Sequence, residues 1–135
     1  MRVLLALVIL LARVSHAQQI GFDWKGDGNS LLQSCDLYVQ AADGKPISSG
    51  DAVQGSFCTG YLTGILDFDI TLSHLENDKS GSKGVIRHIC VPDGVSTGQA
   101  VRIVVKWLRN NPERLHYPAS VLALAGLRDA FPCSK

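Results

Sequence analysis

Ser96-Thr97-Gly98-Gln99-Ala100-Val101-Arg102-Ile103-Val104-Val105-Lys106-Trp107-Leu108-Arg109-Asn110-Asn111-Pro112 is the stretch from which the fold can be read. Ser96-x-x-Gln99 has the form of a capping box, in which two side chains satisfy N–H groups that a helix start leaves open. Val101, Val104, Val105 and Leu108 then recur at i, i+3, i+4 and i+7 as one apolar stripe, while Arg102, Lys106 and Arg109 share the opposite face. Asn110-Asn111-Pro112 stops the helix, because proline lacks the N–H that the next turn requires.

Working outward, Tyr117-Pro118 puts a proline at a first helical turn, and Ala119 to Ala130 follows with Val121, Leu122, Leu124 and Leu127 on nearly every side. That pattern predicts a central, buried helix, ended by Phe131-Pro132. Two helices joined by a short link pack antiparallel, so Cys90, before the first, comes beside Cys133, after the second.

Upstream, Asn29 or Ser30 can cap a helix running to about Ala41, with Leu31, Cys35, Tyr38 and Ala42 as its apolar positions. Asp43-Gly44-Lys45-Pro46 ends it, and Ser48-Ser49-Gly50-Asp51 supplies the next cap. Val53, Phe57, Gly60, Tyr61, Gly64, Ile65 and Phe68 then keep helical spacing to about Leu72. The β-branched and aromatic content of Phe57 to Ile70 also permits a strand hairpin. Ser56, Gly60 and Gly64 recur every four residues. Glycine weakens a helix by roughly 0.8–1 kcal/mol each, so this stripe suggests a second backbone packed closely on it. Residues 73–88 are polar and glycine-punctuated, which reads as a long exposed loop, either a binding loop or disordered.

The four cysteines, Cys35, Cys58, Cys90 and Cys133, allow three pairings. None forms the paired C-x-x-C of a zinc site. The helix layout suggests Cys35–Cys58 and Cys90–Cys133, each stapling a helix pair. The expected fold is all-α, a small domain of four to five helices held by two disulfides.

The chain's 135 residues fit one domain. Hydrophobic residues make up 46% and charged residues 19%, with 13 Lys+Arg against 12 Asp+Glu, which argues against disorder and against nucleic acid as a partner. Met1-Arg2 followed by the apolar run Val3 to Leu11 and by Ser15-His16-Ala17 has the layout of a signal peptide over residues 1–17, with a mature domain from Gln18 to Lys135. The run is too short to span a bilayer, and no later run is longer, so no membrane association is expected after cleavage. Export in turn favours disulfides over free thiols.

Catalytic raw material is sparse. His74, His88 and His116 show no metal-ligand spacing, and neither metal nor cofactor is expected. Asp67 and Asp69, two apart, diverge on a helix and read as a solvated face. A Cys–His nucleophile would need a free thiol, and no nucleophile elbow, P-loop or dinucleotide fingerprint occurs. The expectation is a protein that binds rather than an enzyme.

Several blocks carry a resemblance: Gly28-Asn29-Ser30-Leu31-Leu32-x-x-Cys35, Phe57-Cys58-x-Gly60-Tyr61-x-x-Gly64-x-x-Asp67, Ile89-Cys90-Val91-Pro92, Gly98-Gln99-Ala100-Val101-x-x-Val104-Val105, Asn111-Pro112-Glu113, Ala119 and Ala130-Phe131-Pro132-Cys133. In this order they resemble the Tai/Rap family of type VI secretion immunity proteins. The resemblance spans about Gly28 to Cys133. It implies a periplasmic homodimer of a Gram-negative bacterium that binds a cognate effector, a peptidoglycan amidase, and blocks its active-site groove. The matching blocks are core, cap and cysteine positions, so they speak to fold more than to partner. Glu76, Asn77, Asp78, Lys79 and Ser80, in the expected loop, are assigned to the inhibitory surface on length and polarity alone. A periplasmic, disulfide-bonded helical chaperone is the competing reading, although the chain's 4 histidines give it little acid-switch character.

Overall fold

The structure, a computed structural model, describes residues 24–80 and 88–133. The expected signal peptide over residues 1–17 and the mature start at Gln18 lie outside the described residues. Those residues form four α-helices and no strand: α1 (Gly28–Ala42), α2 (Ser49–Ser80), α3 (Thr97–Asn110) and α4 (Ala119–Ala130), with a 3-10 turn over Pro112–Arg114. The all-α expectation holds, and the hairpin alternative at 57–70 does not.

Helix starts are set by short polar side chains. Ser96 Oγ accepts the Gln99 N–H at 3.2 Å. At α2, Ser48 Oγ accepts the Asp51 N–H while the Asp51 carboxylate accepts the Ser48 N–H, a reciprocal box. At α1 the cap is Asp27, not Asn29 or Ser30: its carboxylate accepts the N–H and the hydroxyl of Ser30, both at 2.9 Å. The Ser30 N–H, and then its hydroxyl, hold the Asp27 carboxyl below its ordinary range. Asn29 instead donates to the Leu115 carbonyl, tying α1 to the turn before α4. At the other end of α1, Gly44 takes φ +74°, and the Gly44 and Lys45 N–H groups return to the Ala41 and Gln40 carbonyls. That reversal needs a residue tolerant of the left-handed region.

The turn folds α2 back along α1, and the disulfide Cys35–Cys58 joins them with a Cα–Cα distance of 5.1 Å. Gly55 lets the two backbones meet, since a Cβ there would lie 2.9 Å from the Tyr38 nitrogen. The second disulfide is Cys90–Cys133, and the Cys90 N–H donates to the Phe131 carbonyl, so the segment entering α3 meets the segment leaving α4. Both suggested pairings are present. Each helix touches the other three. The core is Leu31 and Cys35 from α1, Cys58 and Leu62 from α2, Val101, Val104 and Leu108 from α3, and Leu122 and Leu127 from α4.

Three further expectations are corrected. The helix α4 is not buried on all sides: Ala119, Leu122, Ala123 and Leu127 face the core while Val121 faces solvent, because neighbours cover only one side. Ser56, Gly60 and Gly64 seat no backbone; they point outward, with nothing within 4 Å of a Cβ at either glycine. Residues 73–80 are not loop but the last turns of α2, with Ser73 fully buried. The rest of the expected loop, residues 81–87, lies outside the described residues.

Candidate functional site

At 32 residues, α2 is more than twice as long as α1, α3 or α4, and at 1.5 Å per residue it extends about 48 Å. The shorter helices cannot cover that length. Its inward stripe starts apolar with Cys58 and Leu62 but turns polar at Asp69 and Ser73. Ile65 and Leu66 still pack against the core, but three large apolar residues of this second half stand out to solvent. Phe68 is 64% exposed, Leu75 53% and Ile70 41%, with Val53 at 53% nearer the start. Among the described residues, four of the six exposed large hydrophobic side chains thus belong to one helix.

The polar inner stripe is held by the chain that returns after residue 87. Asp69, 4% exposed, accepts the backbone N–H groups of His88 and Ile89 and lies 3.1 Å from His88 Nδ1. Ser73 donates its hydroxyl to the Asp69 carbonyl at 2.6 Å. Polar residues can therefore face inward without an unsatisfied group, and apolar ones are released to the surface. The reading of Asp67 and Asp69 as one solvated face fails for Asp69; only Asp67 is exposed.

Acidic residues predominate along α2. From Ser49 to Asp78 the helix contains Asp51, Asp67, Asp69, Glu76 and Asp78 and neither Lys nor Arg. Beside Phe68 and Leu75 it offers Asp67 and the half-buried Glu76, and between Ser56 and Gly64 its surface is low and flat. The residues expected to touch a partner, Glu76, Asn77, Asp78, Lys79 and Ser80, all lie at the carboxyl end of α2. Sequence reasoning missed the exposure of Phe68, Ile70 and Leu75; their signal was a helical phase that sets them to either side of the Cys58–Leu62 stripe.

The basic side chains lie mainly on α3 and beyond. Arg109 donates to Asp36 at 2.7 Å, and Arg102 to Asp43. The Arg102 contact holds the Asp43 carboxyl below its ordinary range and raises Arg102 above its own. Both arginines clamp α3 to α1.

No catalytic constellation is assembled among the described residues. All four cysteines are disulfide-bonded. His74 lies on exposed α2 surface, His116 packs against Tyr117 at 4.3 Å, and His88 has only Asp69 as an acidic partner. No group of three His, Cys, Asp or Glu side chains converges as metal ligands among the described residues, and no described helix is long and apolar enough to cross a membrane.

A family model described as Rap1a immunity proteins matches residues 27–133. Neither a curated protein nor a solved structure matches the chain.

Proposed function

From the premise that this chain belongs to the Rap1a immunity protein family, we propose that it neutralises one secreted effector by binding it along the outward face of α2. The observation that carries this reading is that α2 buries Asp69 and Ser73 while Phe68 and Leu75, seven residues apart and so on one face, stand exposed. An exposed apolar stripe rimmed by carboxylates is costly in isolation and useful when a partner covers it. Such a surface suits a cleft with apolar walls and a basic rim. In this proposal the effector is a peptidoglycan amidase delivered by type VI secretion, and the face, extended through Glu76, Asn77, Asp78, Lys79 and Ser80, closes its substrate groove. Occlusion of this kind needs contact area and no reacting group. The working form is a periplasmic homodimer produced by cleavage before Gln18.

The test is co-production of the chain with an exported amidase encoded beside it, scored by growth and by inhibition of peptidoglycan cleavage by the purified enzyme. Wild type should protect, and Phe68→Asp with Leu75→Asp should lose protection while retaining its thermal midpoint. Undiminished protection by the double variant would remove α2 from the interface. Protection against unrelated unfolding proteins would favour the chaperone reading instead.

A further inference from the structure

On the side of the bundle formed by the carboxyl end of α3 and the last turns of α4 lies a cleft of about 650 Å³. Its walls are Trp107 and Asn110 from α3, Arg114 from the 3-10 turn, and Ala125, Arg128 and Asp129 from α4. This volume falls in the range of small-ligand sites, but the cleft is open and mainly polar, with Asn110, Arg114, Arg128 and Asp129 all exposed. The apolar surface here is the Trp107 ring, with the Arg114 guanidinium carbon 6.0 Å from its centroid. The wall is fixed by Asn111, whose side-chain amide donates to the Trp107 carbonyl at 2.8 Å.

The charges of this cleft differ from those elsewhere on α3. Arg102 and Arg109 spend their guanidinium groups on Asp43 and Asp36. Arg128, Asp129 and Asn110 make no side-chain hydrogen bond or ion pair among the described residues, and Arg114 has only the exposed Glu113 at 3.5 Å. One cleft therefore holds two guanidinium groups, a carboxylate, a carboxamide and an indole face, with both signs of charge available.

We propose that this cleft binds a short zwitterionic peptide. Its carboxylate is taken by Arg128 and Arg114, its ammonium group by Asp129, its amide by Asn110, and its side chain rests on Trp107. Guanidinium groups match a carboxylate through paired N–H donors, which a lone ammonium or hydroxyl cannot do. Asp129 would repel a purely anionic ligand, so the combination favours a molecule carrying both charges. This site is separate from the α2 face, and its occupation does not depend on the effector.

The oxidised chain is titrated with alanyl-alanine while the indole N–H signals are followed by two-dimensional NMR, Trp107 being assigned with Trp107→Phe. A saturable shift of the Trp107 signal is expected, with affinity weakened about tenfold in Arg128→Gln, as loss of a charge-assisted hydrogen bond implies. Asp129→Asn should weaken it too, and Arg102→Gln should leave it unchanged. N-acetyl-alanyl-alanine, which keeps the carboxylate but lacks the ammonium group, should bind several-fold more weakly. A linear, unsaturated response, or equal shifts in wild type and Arg128→Gln, would overturn the site; equal binding of the acetylated peptide would overturn its zwitterionic character.

Discussion

His88 Nδ1 lies 3.1 Å from the Oδ1 of Asp69, a buried carboxylate 19 residues earlier in the chain that also accepts the backbone N–H groups of His88 and Ile89. Asp69 thus satisfies the chain as it re-enters the core before Cys90. Asp69→Ala should cost about 2–3 kcal/mol, because it leaves two backbone donors without a partner, whereas His88→Ala should cost well under half of that. Urea unfolding of the oxidised protein measures both, and equal losses would show that the imidazole, not the backbone, is what the carboxylate holds.

The glycines of α2 divide sharply. Gly55→Ala places a Cβ 2.9 Å from the Tyr38 backbone nitrogen and should destabilise by at least 1–2 kcal/mol, about the cost of overpacking. Gly60→Ala and Gly64→Ala meet open space and should each stabilise by up to about 1 kcal/mol through helix propensity. Thermal melts of the three single variants would show opposite signs, and a destabilising Gly60→Ala would mean that something does pack on the outer stripe.

Removal of either disulfide as a Cys→Ala pair should lower stability by about 3–4 kcal/mol, for loops closed over separations of 23 and 43 residues. The chain-entropy term makes the Cys90–Cys133 pair the costlier by a few tenths of a kcal/mol. Denaturant midpoints of the two double variants test the ranking.

The cap of α1 should give the protein an acid-side dependence. The folded-state pKa of Asp27 lies below its ordinary value of 3.8, so its contribution is complete above that pH and disappears as pH falls through the lower, folded value. Asp27→Asn keeps an acceptor without the charge, so the difference in midpoint between wild type and this variant should shrink below about pH 3.8. Asp27→Ala should cost about 1 kcal/mol at neutral pH. A gap that stays constant between pH 5 and pH 2.5 would show that the hydrogen bond, not ionisation, carries the effect.

Much of the fold was legible because local signals and global packing agree. The Ser96 cap, the Val101–Leu108 stripe and the short links between helix pairs place α3 and α4 and suggest one of three cysteine pairings, the one the structure has. The end of α2 was not legible, since Asp69, Ser73 and Glu76 carry the polarity of a loop and their partners come from residues distant in sequence. Nor was the cap of α1, where Asp27, Asn29 and Ser30 are all competent and only the approach of Leu115 assigns Asn29 elsewhere. The glycine stripe misled for a related reason: recurrence every four residues fixes a common face but not which face is covered. As a site, α2 was anticipated only at its far end, because apolar residues at helical spacing read as core until the inner stripe is known.

The two disulfide loops, residues 35–58 and 90–133, follow one another along the chain without overlap. Each cysteine is bonded to its neighbour in order, first to second and third to fourth. A polypeptide oxidised from its amino end as it emerges, before the later thiols are available, therefore forms the correct bonds by default. Under such vectorial oxidation the pairing would need no isomerase to correct it, and the α1–α2 hairpin would be locked before α3 forms.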